Sequence, residues 1–136
     1  MNKSFNKKLP AFNLQEMLIV LAIIGILLLI AMPKLMPLIA KTKSLEAQTQ
    51  LKHIYNMQTL YSYSYSRYSD DFNEIDFEAP KTVTQGGTAN YMYELIQASA
   101  ATFKVRATAV VDFDRDGIFN VWEIDEIGNP KQIQQD

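Results

Sequence analysis

The chain divides by polarity into a uniformly apolar segment near its start and a longer, patterned remainder. MLIVLAIIGILLLIAMP, residues 17–33, contains no charged residue, and extending it back to Phe12 adds a single acid, Glu16. As a helix, these 17 residues would be about 25 Å long, at the short end for spanning a bilayer. Helices in soluble cores are seldom apolar on every face, so the pattern favours a membrane-spanning helix. A cleaved secretory signal peptide fits less well, because such peptides place the apolar region before the cut site, with small residues at the cut, whereas here a short polar leader comes first and the apolar run follows it.

An amphipathic helix is predicted to follow the apolar segment. Between residues 44 and 69, apolar side chains recur at spacings of three, four and seven, at Ala47, Leu51, Ile54, Tyr61 and Tyr68. The predicted helix runs from about residue 13 to about residue 65, and Pro33 and Pro37 can loosen or kink it because they lack amide donors. The tyrosines of YSYSY also alternate as a strand would, but the stripe enters this region in helical phase, which favours helix.

The last part of the chain has the alternation typical of β-strands. Asp, Pro and Gly residues in 70–90 predict a connecting loop. Period-two patterns then predict strands over residues 90–96 and 102–111, with a third over residues 118–127 that Gly128 would end. The expected fold class is α+β, a long N-terminal helix packed on a small antiparallel sheet of about three strands.

Composition and charge exclude several function classes. The chain has no cysteine and a single histidine, His53, which leaves little material for an active site, so we expect no enzyme. The net charge is −2, but residues 1–11 carry three lysines and no acid, leaving ten basic against 15 acidic residues elsewhere. That balance argues against nucleic-acid binding. The basic start predicts a cytoplasmic N-terminus, with the rest outside.

KKLPAFNLQEMLIVLAIIGILLLIAMPKL, residues 7–35, resembles the start of a type IV prepilin or type II secretion pseudopilin. The shared features are a basic leader, a cleavage position before Phe12, an acid at Glu16, an apolar helix and Pro33 at its end. The resemblance implies cleavage between Ala11 and Phe12 by a prepilin peptidase, followed by N-methylation of Phe12. The residue before the cut is usually glycine in this family and is Ala11 here.

Glu16 has an electrostatic reason to require a partner. A carboxylate in the apolar layer costs up to about 3 kcal/mol, and less near its edge. Cleavage would create an amino group on Phe12, which could pair with Glu16 of another subunit during assembly. Alternatively, Glu16 only reaches the interface and complements the helix dipole.

DFDRDGIFNVWE, residues 112–123, has the spacing of a twelve-residue calcium loop. Its candidate ligands are the carboxylates of Asp112, Asp114 and Asp116, the carbonyl of Ile118, and the side chains of Asn120 and Glu123. Because FNVWEI is predicted as strand, residues three apart would point to opposite faces, so Asn120 and Glu123 are the weakest candidates. Calcium could replace the missing disulfides of a small head. A solvated acidic turn is the alternative.

Together these features predict a structural filament subunit with a type IV pilin-like fold. The expected segments are a leader (1–11), a transmembrane assembly helix (12–33), its amphipathic continuation (34–69) and a calcium-type head (70–136). The subunit would be stored in the inner membrane and then stacked with further copies into a helical filament, either a pilus or a pseudopilus at the cell surface or in the periplasm. The resemblance implies an inner-membrane assembly platform and an ATPase as further partners. The competing function is a membrane-tethered calcium-binding protein that does not assemble.

Overall fold

A computed structural model describes residues 11–136 of the chain. The predicted leader therefore lies outside the described residues, except for Ala11. The described residues fall into two compact units, divided between Leu35 and Met36. Helix α1, Leu14–Tyr65, contributes residues to both units and continues through Pro33 and Pro37. Its bounds confirm the predicted helix, and its last turn confirms that the alternating tyrosines are helical.

The second unit is built on one buried face of α1. Its buried positions follow each other at spacings of three and four, which places them on one side of a helix. They are Ala40, Ser44, Ala47, Leu51, Ile54 and Gln58. Ala47, Leu51 and Ile54 are fully inaccessible and join the apolar core of the head. The sequence pattern had identified these three core residues.

Four antiparallel strands form a meander in sequence order. They are β1 Tyr91–Ala98, β2 Phe103–Ala109, β3 Val121–Asp125 and β4 Lys131–Gln134. In β2, alternate residues from Phe103 to Ala109 are buried, because successive side chains of a strand point to opposite faces. β1 carries an irregularity between Leu95 and Gln97 that shifts its pairing with β2 by one residue. The predicted strand over residues 102–111 is thus confirmed as β2.

The expectation of about three strands is corrected by β4. Its sequence, KQIQ, has one apolar residue, and all four of its residues are exposed. It pairs with β3 through Val121↔Gln134, Trp122↔Gln132 and Glu123↔Lys131. A short edge strand with no buried face leaves no period-two apolar signal, so the pattern could not reveal it.

The segment between α1 and β1 is more ordered than a connecting loop of polar residues would be. Ile75 and Phe77 are buried in the core, and Phe77 packs edge-on against Tyr93. A single 3₁₀ turn, Val83–Gln85, lies further along. The segment therefore closes one side of the apolar core.

Polar side chains of α1 bind the head directly. The carboxylate of Glu46 accepts hydrogen bonds from the backbone N–H of Asn90 at 2.8 Å and from its side-chain amide at 2.7 Å. The ammonium of Lys52 donates to the carbonyl of Gly128 at 2.7 Å. These bonds connect the helix to the start of β1 and to the turn before β4.

Candidate functional site

The first unit presents a helix with almost no buried surface. From Leu14 to Leu35 the side chains of α1 are exposed, apart from the partly covered Ala31. It is the one helix in the described part of the chain that is long and apolar enough to cross a membrane. Because a soluble protein rarely leaves so large an apolar surface uncovered, this segment requires lipid or other protein around it.

Glu16 lies in the first turn of α1, and its side chain bonds the backbone just before the helix. Its Oε2 atom accepts a hydrogen bond from the backbone N–H of Asn13 at 2.9 Å. This is the arrangement in which an acid at the third helical position satisfies a free N-terminal donor. Within one subunit, Glu16 therefore behaves as a helix cap. A carboxylate has further acceptor sites, so the same side chain can still receive a second donor.

The predicted cleavage position lies just before the helix. Ala11 and Phe12 precede Leu14, the first helical residue, and both are exposed, Phe12 to 77%. Extended, accessible backbone is the form in which peptidases bind a substrate chain, and helical backbone is not. The local structure is thus compatible with cleavage between these two residues.

Three aspartates of the acidic loop converge. The carboxylate oxygens of Asp112, Asp114 and Asp116 lie within 4.8 Å of one another. Backbone N–H groups bond these carboxylates: Asp112 accepts from Arg115 and Gly117, and Asp114 accepts from Asp116. The loop turns through left-handed backbone at Arg115 and at Gly117, with φ of 67° and 89°. Oxygen atoms gathered in this way are the ligand type that calcium prefers.

The other three predicted ligands make the following contacts around this group of carboxylates. Ile118 is bound to it through its amide, which donates to Asp116 at 2.7 Å. Asn120 is 1% exposed, and its amide group bonds Ser44 and Gln132. Glu123 lies outside the carboxylate group, which consists of the three aspartates among the described residues.

Glu123 has a different structural role on β3. Its Oε1 atom lies 2.6 Å from the guanidinium of Arg106 on β2, and its Oε2 atom lies 3.9 Å from the ammonium of Lys104. The two residues face each other across the strands, which makes this a cross-strand ion pair on the outer face of the sheet.

Comparison with known proteins gives one informative relative. No family model matches the chain. The chain is similar to the type IV major pilin protein PilA of Myxococcus xanthus (strain DK1622), with 40% identity over 105 residues. The aligned part is 77% of this chain and 44% of the relative, so the chain spans less than half of the relative's length.

This chain is a homologue of a type IV pilin. The resemblance to the prepilin family, first drawn from residues 7–35, is confirmed. The long helix packed on an antiparallel sheet likewise confirms the expected fold class. The relative is a structural pilin, in agreement with the expectation that the chain is not an enzyme.

Asp136, an acidic residue that contacts the loop of this chain, was not predicted from the sequence. The carboxylate of Asp136 accepts hydrogen bonds from the backbone N–H groups of Phe113 at 2.7 Å and Asp114 at 3.1 Å. It lies more than 20 positions away from both residues, outside the twelve-residue motif. Motif spacing carries no information about such a contact, and only the pairing of β4 with β3 brings it there.

The surroundings of the acidic loop alter the ionisation of one of its carboxylates. Desolvation, partly offset by the N–H of Asp116, raises the pKa of Asp114, and the charges of Asp116, Asp136 and Asp112 add to the effect. Deeper in the head, burial raises the pKa of Tyr91 to about 12. Like charges held this close favour the presence of a cation.

Proposed function

We propose that this chain is the subunit of a type IV pilus, held in the inner membrane by its apolar helix until it assembles. The observation that carries the proposal is the 40% identity with a type IV major pilin over 105 residues. An alignment of that length extends well beyond the apolar segment, where composition alone could produce similarity. The exposed apolar surface of residues 14–35 supplies the contact that copies would share.

Processing would convert the stored form into the assembling form. In this proposal a prepilin peptidase cleaves the bond between Ala11 and Phe12, and the new amine of Phe12 is methylated. The exposed backbone at these residues, which lie before the helix, supports access for such an enzyme. Mass spectrometry of the protein from its native host tests this step: a chain beginning at methylated Phe12 supports it, and an intact Met1 contradicts it.

Glu16 is the proposed assembly contact. The amine of Phe12 on one subunit would donate to Glu16 of its neighbour, in addition to the N–H of Asn13 within the chain. Two opposite charges brought together in an apolar surrounding attract each other far more strongly than in water. An inner-membrane platform and an ATPase would drive assembly, as the family resemblance implies.

The assembly contact is tested with Glu16→Ala beside Gln15→Ala, the adjacent uncharged position. We expect Glu16→Ala to insert into the membrane normally and to form few or no filaments, because the amine has lost its counter-charge. Gln15→Ala should assemble as the parent does. Filament yield by electron microscopy and membrane fractionation are the measurements. Normal filaments from Glu16→Ala would overturn the pairing.

The remaining alternatives make distinct predictions. Long surface fibres that can be sheared from cells support a pilus. Loss of a secreted protein on deletion of the gene would instead indicate a pseudopilus of a type II secretion system. A strictly monomeric protein with an intact leader would indicate a membrane-tethered calcium-binding protein.

We further propose that the acidic loop binds calcium through Asp112, Asp114 and Asp116. The converging carboxylates support this, and a cation would relieve their repulsion. The head has no disulfide, so occupancy by an ion would stabilise the folded state alone. Outside the cell, calcium near millimolar concentration suffices even for a weak site.

Thermal unfolding of the full chain in detergent, with calcium and with chelator, tests the loop. We expect a higher midpoint with calcium, by several degrees for stabilisation of about 1 kcal/mol. Asp114→Asn should reduce this difference, because the amide keeps an oxygen for the N–H of Asp116 but loses the charge. Asp70→Asn, at an exposed acid outside the motif, is the matched control. Identical unfolding midpoints in calcium and in chelator would contradict calcium binding by the loop.

A further inference from the structure

Residues 131–136 form a segment that is weakly attached along most of its length. β4 has no buried residue and pairs with a single neighbour, β3. Lys131 adds one exposed ion pair, with its ammonium 3.3 Å from Asp125. Exposed ion pairs and edge strands contribute little stability, so this segment belongs to the part of the head that opens most easily.

Asp136 is the exception within this segment. Its two carboxylate oxygens accept hydrogen bonds from consecutive N–H groups, those of Phe113 and Asp114, at the start of the acidic loop. Hydrogen bonds to a charged acceptor are stronger than neutral ones. Asp136 therefore fixes the end of the segment to the backbone of a loop more than 20 residues away in sequence.

The same segment lies beside Trp122, the only tryptophan of the chain. Gln132 pairs with Trp122 in the sheet, and its side chain donates to Asn120 at 3.3 Å. Trp122, Gln132, Gln135 and Asp136 line a cavity of about 310 Å³, opposite residues 37–48 of α1. The indole N–H of Trp122 is buried and has no hydrogen-bond partner among the described residues. The wall of this cavity therefore depends on the position of the segment.

We infer that residues 131–136 act as a strap that Asp136 fastens to the acidic loop, so that release of this one side chain frees the loop and uncovers Trp122 together. The inference rests on the two hydrogen bonds of Asp136 and on the shared wall of the cavity. It does not require the loop to bind calcium. Its consequence is that a change in the backbone at Phe113 and Asp114 is transmitted to the cavity beside α1.

Two internal reporters allow a direct test in the full chain. Arg115 offers a trypsin site inside the loop, and Trp122 gives the only tryptophan emission. The variant is Asp136→Asn, which replaces one accepting oxygen with an NH₂ group that would face a backbone N–H. Asp70→Asn makes the same charge change at an exposed position outside the strap and serves as the control.

Limited trypsin digestion and fluorescence are performed on both variants and the parent in detergent, with chelator present throughout. For Asp136→Asn we expect cleavage after Arg115 to be about tenfold faster, because opening of the loop no longer breaks two charge-assisted bonds. We also expect red-shifted Trp122 emission and stronger quenching by acrylamide. Cleavage after Arg67, outside the strap, should keep its parental rate.

Three results would overturn the strap. Parental cleavage and emission in Asp136→Asn would show that the side chain fastens nothing. Faster cleavage after Arg115 with unchanged Trp122 emission would show that the loop and cavity move separately. Equal acceleration after Arg67 and Arg115 would indicate global unfolding. Because chelator is present, failure of calcium binding leaves all three readouts intact.

Discussion

At the scale of the residue, the polar side chain of Gln58 stabilises the buried interior of the head. It is fully buried on the face of α1 that packs on the sheet. Its side-chain amide donates to the carbonyl of Ser69 at 2.8 Å and accepts from the N–H of Ser69 at 2.9 Å. One side chain thus satisfies both backbone groups of a buried residue just beyond the helix.

We predict that Gln58→Leu destabilises the head by about 2–4 kcal/mol, because it leaves a buried N–H and a buried C=O without partners. Gln50→Leu is the control, since Gln50 is only partly buried and makes no side-chain hydrogen bond among the described residues; it should stay within about 0.5 kcal/mol. Chemical unfolding of the full chain in detergent, followed by circular dichroism, measures both. Equal stability of the two variants would contradict the role of Gln58.

The candidate ligands show what spacing can and cannot establish. Asp112, Asp114 and Asp116 were found from their alternate spacing, because a tight turn brings such side chains to one centre. Asn120 and Glu123 fit the same motif by position, yet the structure engages them with other partners. Strand geometry after the loop, already foreseen in FNVWEI, accounts for that difference.

At the scale of the element, helix α1 ends where the backbone turns into a left-handed conformation. Ser66 follows the last helical residue and adopts left-handed backbone with φ of 56°. Its N–H still bonds the carbonyl of Ser62 at 2.8 Å, after which the chain turns toward Ser69. Residues other than glycine are strained in this conformation, and helices commonly end with glycine at this position.

We therefore predict that Ser66→Gly stabilises the head by about 1 kcal/mol, since glycine adopts positive φ at no steric cost. Ser64→Gly, two positions earlier and inside the helix, should have the opposite sign and cost about 0.5–1 kcal/mol. The thermal unfolding midpoints of the two variants, compared with the parent, measure both effects. A shift in the same direction for both would show that the left-handed position does not limit stability.

Elements with a buried face could be predicted from the sequence, and the one without could not. α1, β1 and β2 bury alternate or helically spaced apolar residues, so their patterns are visible. β4 buries nothing, and its place is set by pairing with β3. Ile75 and Phe77 lie in a segment, residues 70–90, whose other large apolar residues are Phe72 and Val83, and four residues at these irregular spacings give no periodic signal.

At the scale of the whole head, stability depends on how closely the last turn approaches α1. Gly128 has a φ of 83°, and a Cβ atom at this position would lie 2.6 Å from the ring of Tyr55. Lys52 donates to the carbonyl of Gly128 and also lies 4.8 Å from the centre of the Tyr55 ring. The turn before β4 therefore contacts the helix directly.

We predict that Gly128→Ala costs about 1–3 kcal/mol more than Gly86→Ala. Both glycines have positive φ, so both variants bear the same backbone strain of about 1 kcal/mol. Only Gly128 lacks space for a methyl group, because nothing lies within 4 Å of the corresponding position at Gly86. Unfolding free energies of the two variants test this. Equal losses would mean that the Tyr55 ring moves aside without cost.

The sequence pattern and the family resemblance predicted the architecture. The long-range hydrogen bonds that stabilise it could not be predicted in this way. The bonds of Glu46 to Asn90 and of Asp136 to Phe113 join residues far apart in sequence. Each uses a common polar residue in no recognisable motif. The first depends on how α1 packs on the sheet and the second on the register of the strands, and a single sequence specifies neither.

Because α1 remains helical through the apolar segment, its peptide groups bond one another within the helix rather than the surroundings. The prolines remove only the donors that would have reached the carbonyls of Leu29 and Pro33. A rod of this kind can exchange hydrocarbon chains for protein neighbours without dismantling its secondary structure. Leaving the bilayer would then change only the surroundings of the side chains. Because the helix stays intact, each copy could also return to the bilayer.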